Sequence, residues 1–217
     1  PQPDRRLRLR RQRVDHARKG GRLTFVIRPA DLTADAAGIA ALDASFETSA
    51  RLDVTATGDG FALRKTAMPE RTKRFWVYDL DRPDRDWDEA HVAEEAGRIV
   101  GFVATSWQFW NRRVVLWHIY ADRSVRGRGL GHALIARVYE RARRQNALAI
   151  FLETSNFNVP GISWYARQGF VPGGLDTTLY SGVAGAEEAG IYMVKFLAGR
   201  GDPPRWYRPP RFRYTAP

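Results

Sequence analysis

The 217 residues suffice for one domain with extensions, and the absence of cysteine excludes disulfides, thiolate nucleophiles and cysteine-ligated zinc. No apolar run reaches the roughly 18 residues of a membrane span, while 44% hydrophobic content and seven tryptophans supply a sizeable core. The net charge of +11 invites a nucleic-acid reading, but its location argues otherwise: residues 1–22 hold nine basic side chains against two acidic ones, residues 199–217 five against one, and residues 23–198 twenty-one of each sign.

The chain thus divides into a basic N-terminal arm (1–22), a neutral domain (23–198) and an Arg/Pro/aromatic tail (199–217). Within the domain, 23–28 (LTFVIR) has the β-branched and aromatic content of a first strand. Thr33 reads as the N-cap of a helix whose apolar face runs through Ala36, Ile39, Ala40, Leu42 and Phe46. Two strand-forming runs, 52–57 and 61–66, flank Gly58-Asp59-Gly60 and predict a hairpin. The acidic stretch 79–89, which contains Pro83, reads as a surface loop. From His91 the pattern becomes a meander of strands at 91–96, 99–109 and 114–121. After Gly129, Leu130, Leu134, Ile135, Val138 and Ala142 recur at helical spacing, with Arg137, Arg141 and Arg144 outside the stripe. A strand at 148–153, a helix at 160–168 stopped by Gly169, and strands around 177–181 and 190–197 complete one mixed α/β domain.

The most informative segment is Arg126-Gly127-Arg128-Gly129-Leu130-Gly131, between a strand and the amphipathic helix. Glycines let the backbone approach a ligand and turn its N–H groups to one side, and the helix start adds free N–H groups and a positive dipole end. Together they predict a pyrophosphate cradle, with Arg126 and Arg128 able to add side-chain charge. A dinucleotide fingerprint fails on context, because the loop follows a meander and no acidic residue ends a second parallel strand about twenty residues on. The Gly-Lys-Ser/Thr of a P-loop is absent.

In that setting the loop resembles the signature of the GNAT superfamily of N-acetyltransferases, Arg/Gln-x-x-Gly-x-Gly/Ala between the fourth strand and the third helix. Asn158, Gly161, Tyr165 and Gly169-Phe170 are similar to the family pattern Asn-x-x-Ala-x-x-x-Tyr-x-x-x-Gly-Phe, with Gly161 in place of the alanine. The resemblance implies an α/β GNAT fold: a mixed, mostly antiparallel sheet of about six or seven strands with flanking helices, splayed between strands four and five. It implies acetyl-coenzyme A as cosubstrate, held by Arg126, Gly127, Arg128, Gly129, Leu130 and Gly131, with Asn158 beside the pantetheine arm. It also implies backbone N–H groups around Tyr120 and Ala121 for the developing oxyanion, and Tyr165 as the acid that protonates the leaving thiolate. Segments 42–49, 58–64 and 174–180, together with Trp110-Asn111-Arg112 and Leu152-Glu153, resemble the streptothricin acetyltransferase branch in particular. That branch carries carboxylates on the fourth strand before the glycine loop, where this sequence has Trp117, His118 and Tyr120.

Acetyl transfer needs a free amine lone pair. A lysine-like amine with pKa near 10.4 is neutral in only about one molecule in 10³ at pH 7, roughly 4–5 kcal/mol uphill. A base, or a pocket that lowers the amine's pKa, must offset that. Glu153, at the end of the fifth strand beside the splay, and His118, in phase with Tyr120 on the fourth, compete as base; the plainer reading of His118 is a polar side chain packed under Trp107 or Trp110. Glu47, Asp53 and Asp176 are candidates for gripping a cationic substrate, and Trp107, Phe109 and Trp110 read as core and hairpin packing. The histidines His16, His91, His118 and His132 lack the spacing of a metal site, so no metal is expected. The expected function is cytoplasmic N-acetylation of a small-molecule primary amine, a streptothricin-like cationic antibiotic first, with a protein N-terminus, a lysine or another small amine as the alternative. A reading of another class has the arms bind nucleic acid around a degenerate core, with Trp206, Tyr207 and Phe212 stacking on bases. An intact glycine loop and Tyr165 argue against it. The tails could equally make homodimer contacts.

Overall fold

In chain order the strands are β1 (Val26–Pro29), β2 (Phe46–Thr57), β3 (Gly60–Lys73), β4 (Glu89–Glu95), β5 (Arg98–Gln108), β6 (Arg113–Ala121), β7 (Ala149–Ser155), β8 (Val171–Asp176) and β9 (Gly190–Phe196). The helices are α1 (Ala36–Ala40), α2 (Leu130–Arg144) and α3 (Val159–Arg167). They come from a computed structural model that describes residues 25–182, 187–197 and 199. The arm 1–22 and, apart from Gly199, the tail 199–217 with Trp206, Tyr207 and Phe212 lie outside the described residues. Seven strands form one sheet in the order β1-β4-β5-β6-β7-β9-β8, and β2 and β3 form a separate two-stranded sheet. Every neighbouring pair in the large sheet is antiparallel except β6 and β7, which is the mixed, mostly antiparallel architecture expected.

The central strands are covered on both faces, which explains why their sequences read as continuous apolar runs and not as alternations. Leu134, Ile135, Val138 and Ala142 of α2 join Val103, Val114 and Leu116 in one core cluster. On the opposite face Ile39 and Leu42 pack with Trp87, Val92 and Phe102. Each fully buried large aliphatic or aromatic side chain contributes about 1.5–3 kcal/mol, so these two layers hold the sheet between them. Among the described residues no helix is long and apolar enough to cross a membrane.

Three expectations need correction. The helix after Thr33 is only α1, five residues long, and Phe46 instead opens β2 opposite Lys73. Asp35, at the N-cap position, has helical dihedrals and makes no side-chain cap; its carboxylate binds Arg28. Residues 177–181 are not a strand, because Asp176 Oδ1 accepts from the Thr178 and Leu179 amides and turns the chain. Arg141, outside the apolar stripe of α2, is nonetheless buried, bonding the Thr105 carbonyl at 2.7 Å and Asp88 at 2.6 Å. Phe109 and Trp110, read as packing residues, are 82% and 83% exposed at the β5–β6 turn, whereas Trp107 packs on the core.

Candidate active site

The parallel β6–β7 pairing is confined to Arg113–Leu116 against Ala149–Leu152, yet β6 runs on to Ala121 and β7 to Ser155. The two strands therefore diverge after Leu116 and Leu152, and a cleft opens between their ends. It is lined on one side by the glycine loop, the start of α2, Asn158, Trp164 and Tyr165, and on the other by Phe75, Trp76, Tyr78, Glu153, Tyr180 and Glu188. Asp122 N–H bonds the Val100 carbonyl, so strand alternation sends the amides of Tyr120 and His118 towards β5 and those of Ala121 and Ile119 into the splay. Of the two amides expected to face the oxyanion, that of Tyr120 points towards β5 and that of Ala121 into the splay, beside that of Ile119.

The cradle is built from backbone. Gly127 and Gly129 have φ of 75° and 87°, the left-handed region in which glycine is at home. The first helical bonds of α2 run from His132 and Ala133 to the Gly129 carbonyl, so the amides of Leu130 and Gly131 have no intrahelical acceptor. A Cβ on Gly131 would sit 3.2 Å from the Trp164 indole, so glycine is what lets α2 and α3 close on each other there. Leu130 contributes its amide only, since its side chain is in the core. Both arginines line the cleft, and each already has a partner. Arg126 bonds the Ser45 carbonyl at 2.5 Å and the Ala121 carbonyl at 3.2 Å, bracing the loop against the start of β2. Arg128 makes a two-pronged contact with Glu95 and lies over the Phe25 ring. An N–H-rich loop at a helix start, opening into a strand splay long enough for a pantetheine arm, fits coenzyme A.

Asn158 caps α3. Its Oδ1 accepts from Gly161 N at 3.0 Å and its Nδ2 donates to Thr154 Oγ1 at 2.9 Å. A Cβ on Gly161 would lie 2.3 Å from Asn158 Nδ2, so alanine here would require the Asn158 side chain to move from its present position. Tyr165 is buried against Trp164 and Phe170 and faces the cleft. Burial, reinforced by the charge of Glu153, pushes its phenol well above the usual range and keeps it protonated at neutral pH.

Across the cleft, Glu153 Oε1 accepts from Tyr180 Oη at 2.7 Å. Burial pushes the Glu153 carboxyl up to about 7; the Tyr180 bond and Lys73 oppose that, and the nearby Glu188 adds to it. His118 has a different role from the one expected. It is buried beside Trp87 and Phe102, not under Trp107 or Trp110, with Nε2 3.0 Å from Asp79 Oδ1 and Nδ1 3.1 Å from Tyr120 Oη. With Nε2–H donated to Asp79, Nδ1 accepts from Tyr120, and no lone pair is left for a substrate proton. Burial opposes charge on Asp79, but bonds from His118 and from Trp87 Nε1 hold its carboxyl below the usual range. Sequence reading had placed Asp79 and Trp87 in a surface loop; both are buried and orient His118.

The proposed cation-gripping residues fall elsewhere. Glu47 pairs with Arg123 at the surface, Asp53 pairs with Arg51 on β2, and Asp176 caps its own turn; none lines the cleft. The acid that does line it beside Glu153 is Glu188, held by both its oxygens to Lys73 Nζ at 2.5 Å. Nothing in its local sequence marks it, since its position depends on β9 pairing with β7. Among the described residues there is no cluster of three or more potential metal ligands.

Comparison with known proteins agrees with this geometry. The family model described as acetyltransferase (GNAT) family matches residues 60–170, about half of the chain. A streptothricin acetyltransferase of Streptomyces lavendulae is 35% identical over 167 residues, covering 73% of this chain and 88% of that protein. A crystal structure of nourseothricin acetyltransferase superposes with a TM-score of 0.71 at 40% identity, over 79% of this chain and 98% of the other. A putative streptothricin acetyltransferase from Bacillus anthracis str. Ames, solved in complex with acetyl coenzyme A, gives a TM-score of 0.66 at 27% identity, over 81% and 99%. Matching model, matching fold and a glycine cradle at a strand splay lead to one conclusion: this chain belongs to the GNAT family of acetyltransferases, with acetyl-coenzyme A as cosubstrate.

Proposed function

We propose that the chain N-acetylates a primary amine of a streptothricin-like polycationic antibiotic and so confers resistance to it in the cytoplasm. The observation that carries this reading is Glu153, a half-buried carboxyl with pKa about 7 in the splay, across the cleft from Tyr165. The acceptor class is supported by the streptothricin and nourseothricin enzymes to which the chain is similar.

Acetyl-coenzyme A supplies the acetyl group as a thioester. The amides of Gly127 to Gly131 would hold its pyrophosphate and those of Ile119 and Ala121 would face its carbonyl oxygen. Glu153, about half ionised at neutral pH, accepts the proton that the incoming ammonium must lose; a base whose pKa lies near the working pH is the most effective one. Tyr165 holds a proton at Oη beside the place where the thiolate departs. Phe75, Trp76, Tyr78 and Tyr180 form an aromatic wall that attracts cations through their ring faces. Asp79 and His118 fix the Tyr120 hydroxyl, and the Tyr120 ring stacks on Phe75, so the β6 wall of the cleft is aromatic and is held from behind by a buried carboxylate.

The test is thiol release from acetyl-coenzyme A across streptothricin, an aminoglycoside and a peptide with a free N-terminus. Streptothricin is expected to give the highest kcat/KM. Turnover of the peptide or the aminoglycoside alone would leave the family assignment standing and remove the acceptor.

A further inference from the structure

Lys73 is the last residue of β3, and the cleft draws its ammonium inward. Both Glu188 oxygens accept from Nζ at 2.5 Å, and Nζ lies 5.4 Å from the centre of the Phe157 ring. Ser155 Oγ donates to Glu188 Oε2 at 2.7 Å and fixes that carboxylate in place. The side chains of Lys73 and Glu188 are only 22% and 12% exposed, although both line the acceptor half of the cleft. Ser155 follows Glu153 by two residues on β7, so it is on the same strand face about 7 Å along. Glu188 therefore stands about one strand repeat from the proposed base. That is roughly the distance between the two nitrogens of a short aliphatic diamine.

From this geometry we infer that Glu188 is the specificity-determining anchor for a second ammonium group of the acceptor, and that Lys73 occupies that subsite until the acceptor displaces it. The inference rests on the proposed function in one respect, that the acceptor carries more than one cation. An alkyl ammonium entering at Glu188 meets the carboxylate that Lys73 held and the aromatic face of Phe157, and its far amine reaches Glu153. A monoamine can gain only one of these contacts. The internal lysine makes the subsite selective, because a ligand without a cation cannot replace the charge it displaces.

The two partners of the ion pair then act in opposite directions, which a purely structural pair would not do. The readout is the ratio of kcat/KM for 1,5-diaminopentane to that for pentylamine, measured in wild type, Glu188→Gln and Lys73→Met, with streptothricin assayed in parallel and each variant checked by thermal melting. Glu188→Gln is expected to lower the ratio by about tenfold or more, as for loss of one partner of a desolvated charge pair. Lys73→Met is expected to raise it, by removing the competing cation. A ratio unmoved in either variant, or moved in the same direction by both, overturns the inference while wild-type turnover of streptothricin keeps the proposed function. Wild-type diamine selectivity with no streptothricin turnover, and both variants shifting as stated, keeps the inference and removes that acceptor.

Discussion

Replacing Tyr180 with phenylalanine removes one hydrogen bond from the proposed base and leaves the cleft's aromatic wall. The Tyr180 hydroxyl donates to Glu153 Oε1 at 2.7 Å. A bond to the ionised carboxylate stabilises the charged form, so it holds the Glu153 pKa down; burial and Glu188 hold it up, and Lys73 opposes them. Losing a hydrogen bond to a charged group costs about 1.5–3 kcal/mol, which at 1.36 kcal/mol per pH unit moves the acid limb of kcat/KM up by about one to two units from its starting point near 7. The assay is thiol release followed from pH 5.5 to 9.5 at sub-saturating acceptor, which reports ionisations of the free enzyme. Activity at pH 7 is expected to fall about 5- to 50-fold, while activity at pH 9 falls by no more than about twofold. An acid limb unmoved in a folded Tyr180→Phe protein would refute Glu153 as the group that sets it.

Three further predictions follow from the same site. Gly129→Val forces a β-branched residue to the φ of 87° at the mouth of the cradle; calorimetry should show acetyl-coenzyme A binding weakened by about tenfold or more, and unchanged affinity would remove the cradle assignment. Tyr165→Phe should lower kcat about 10- to 1000-fold with little change in acetyl-coenzyme A affinity, whereas wild-type turnover would reduce Tyr165 to packing. Because the folded-state pKa of Glu153 is raised from 4.5 to about 7, the fold favours its neutral form: that stability is fully present below pH 4.5 and is lost as the pH rises through 7. Thermal melts should therefore show Glu153→Gln gaining on wild type with rising pH, levelling near 3 kcal/mol above pH 8; a pH-independent difference would mean that Glu153 is not desolvated.

Local periodicity and glycine chemistry made much of this structure legible. The meander, the amphipathic stripe of α2, the two-residue Gly58-Asp59 turn and the loop with Gly127 and Gly129 are all set by residues within a few positions of one another. Glu153 could be placed near the end of the strand because the residues before it are a short apolar run, although β7 continues two residues further, to Ser155. What depended on distant partners was not legible. Arg126 and Arg128 looked free because Ser45 and Glu95, their partners, lie 81 and 33 residues away. His118 looked like a base because Asp79, 39 residues earlier in an acidic stretch, gives no sign of being buried. Alanines at 36, 37, 40 and 41 prolonged a helical pattern that the pairing of Phe46 with Lys73 ends. Glu188 was missed for the same reason, since Lys73 and Ser155 reach it only in the folded chain.

The most direct test of the account is the mass of the product. Streptothricin incubated with the protein and acetyl-coenzyme A should gain a single acetyl group on an amine nitrogen, in step with the thiol released, and Glu153→Gln should slow both together. Unmodified streptothricin after incubation with protein shown to bind acetyl-coenzyme A would contradict it.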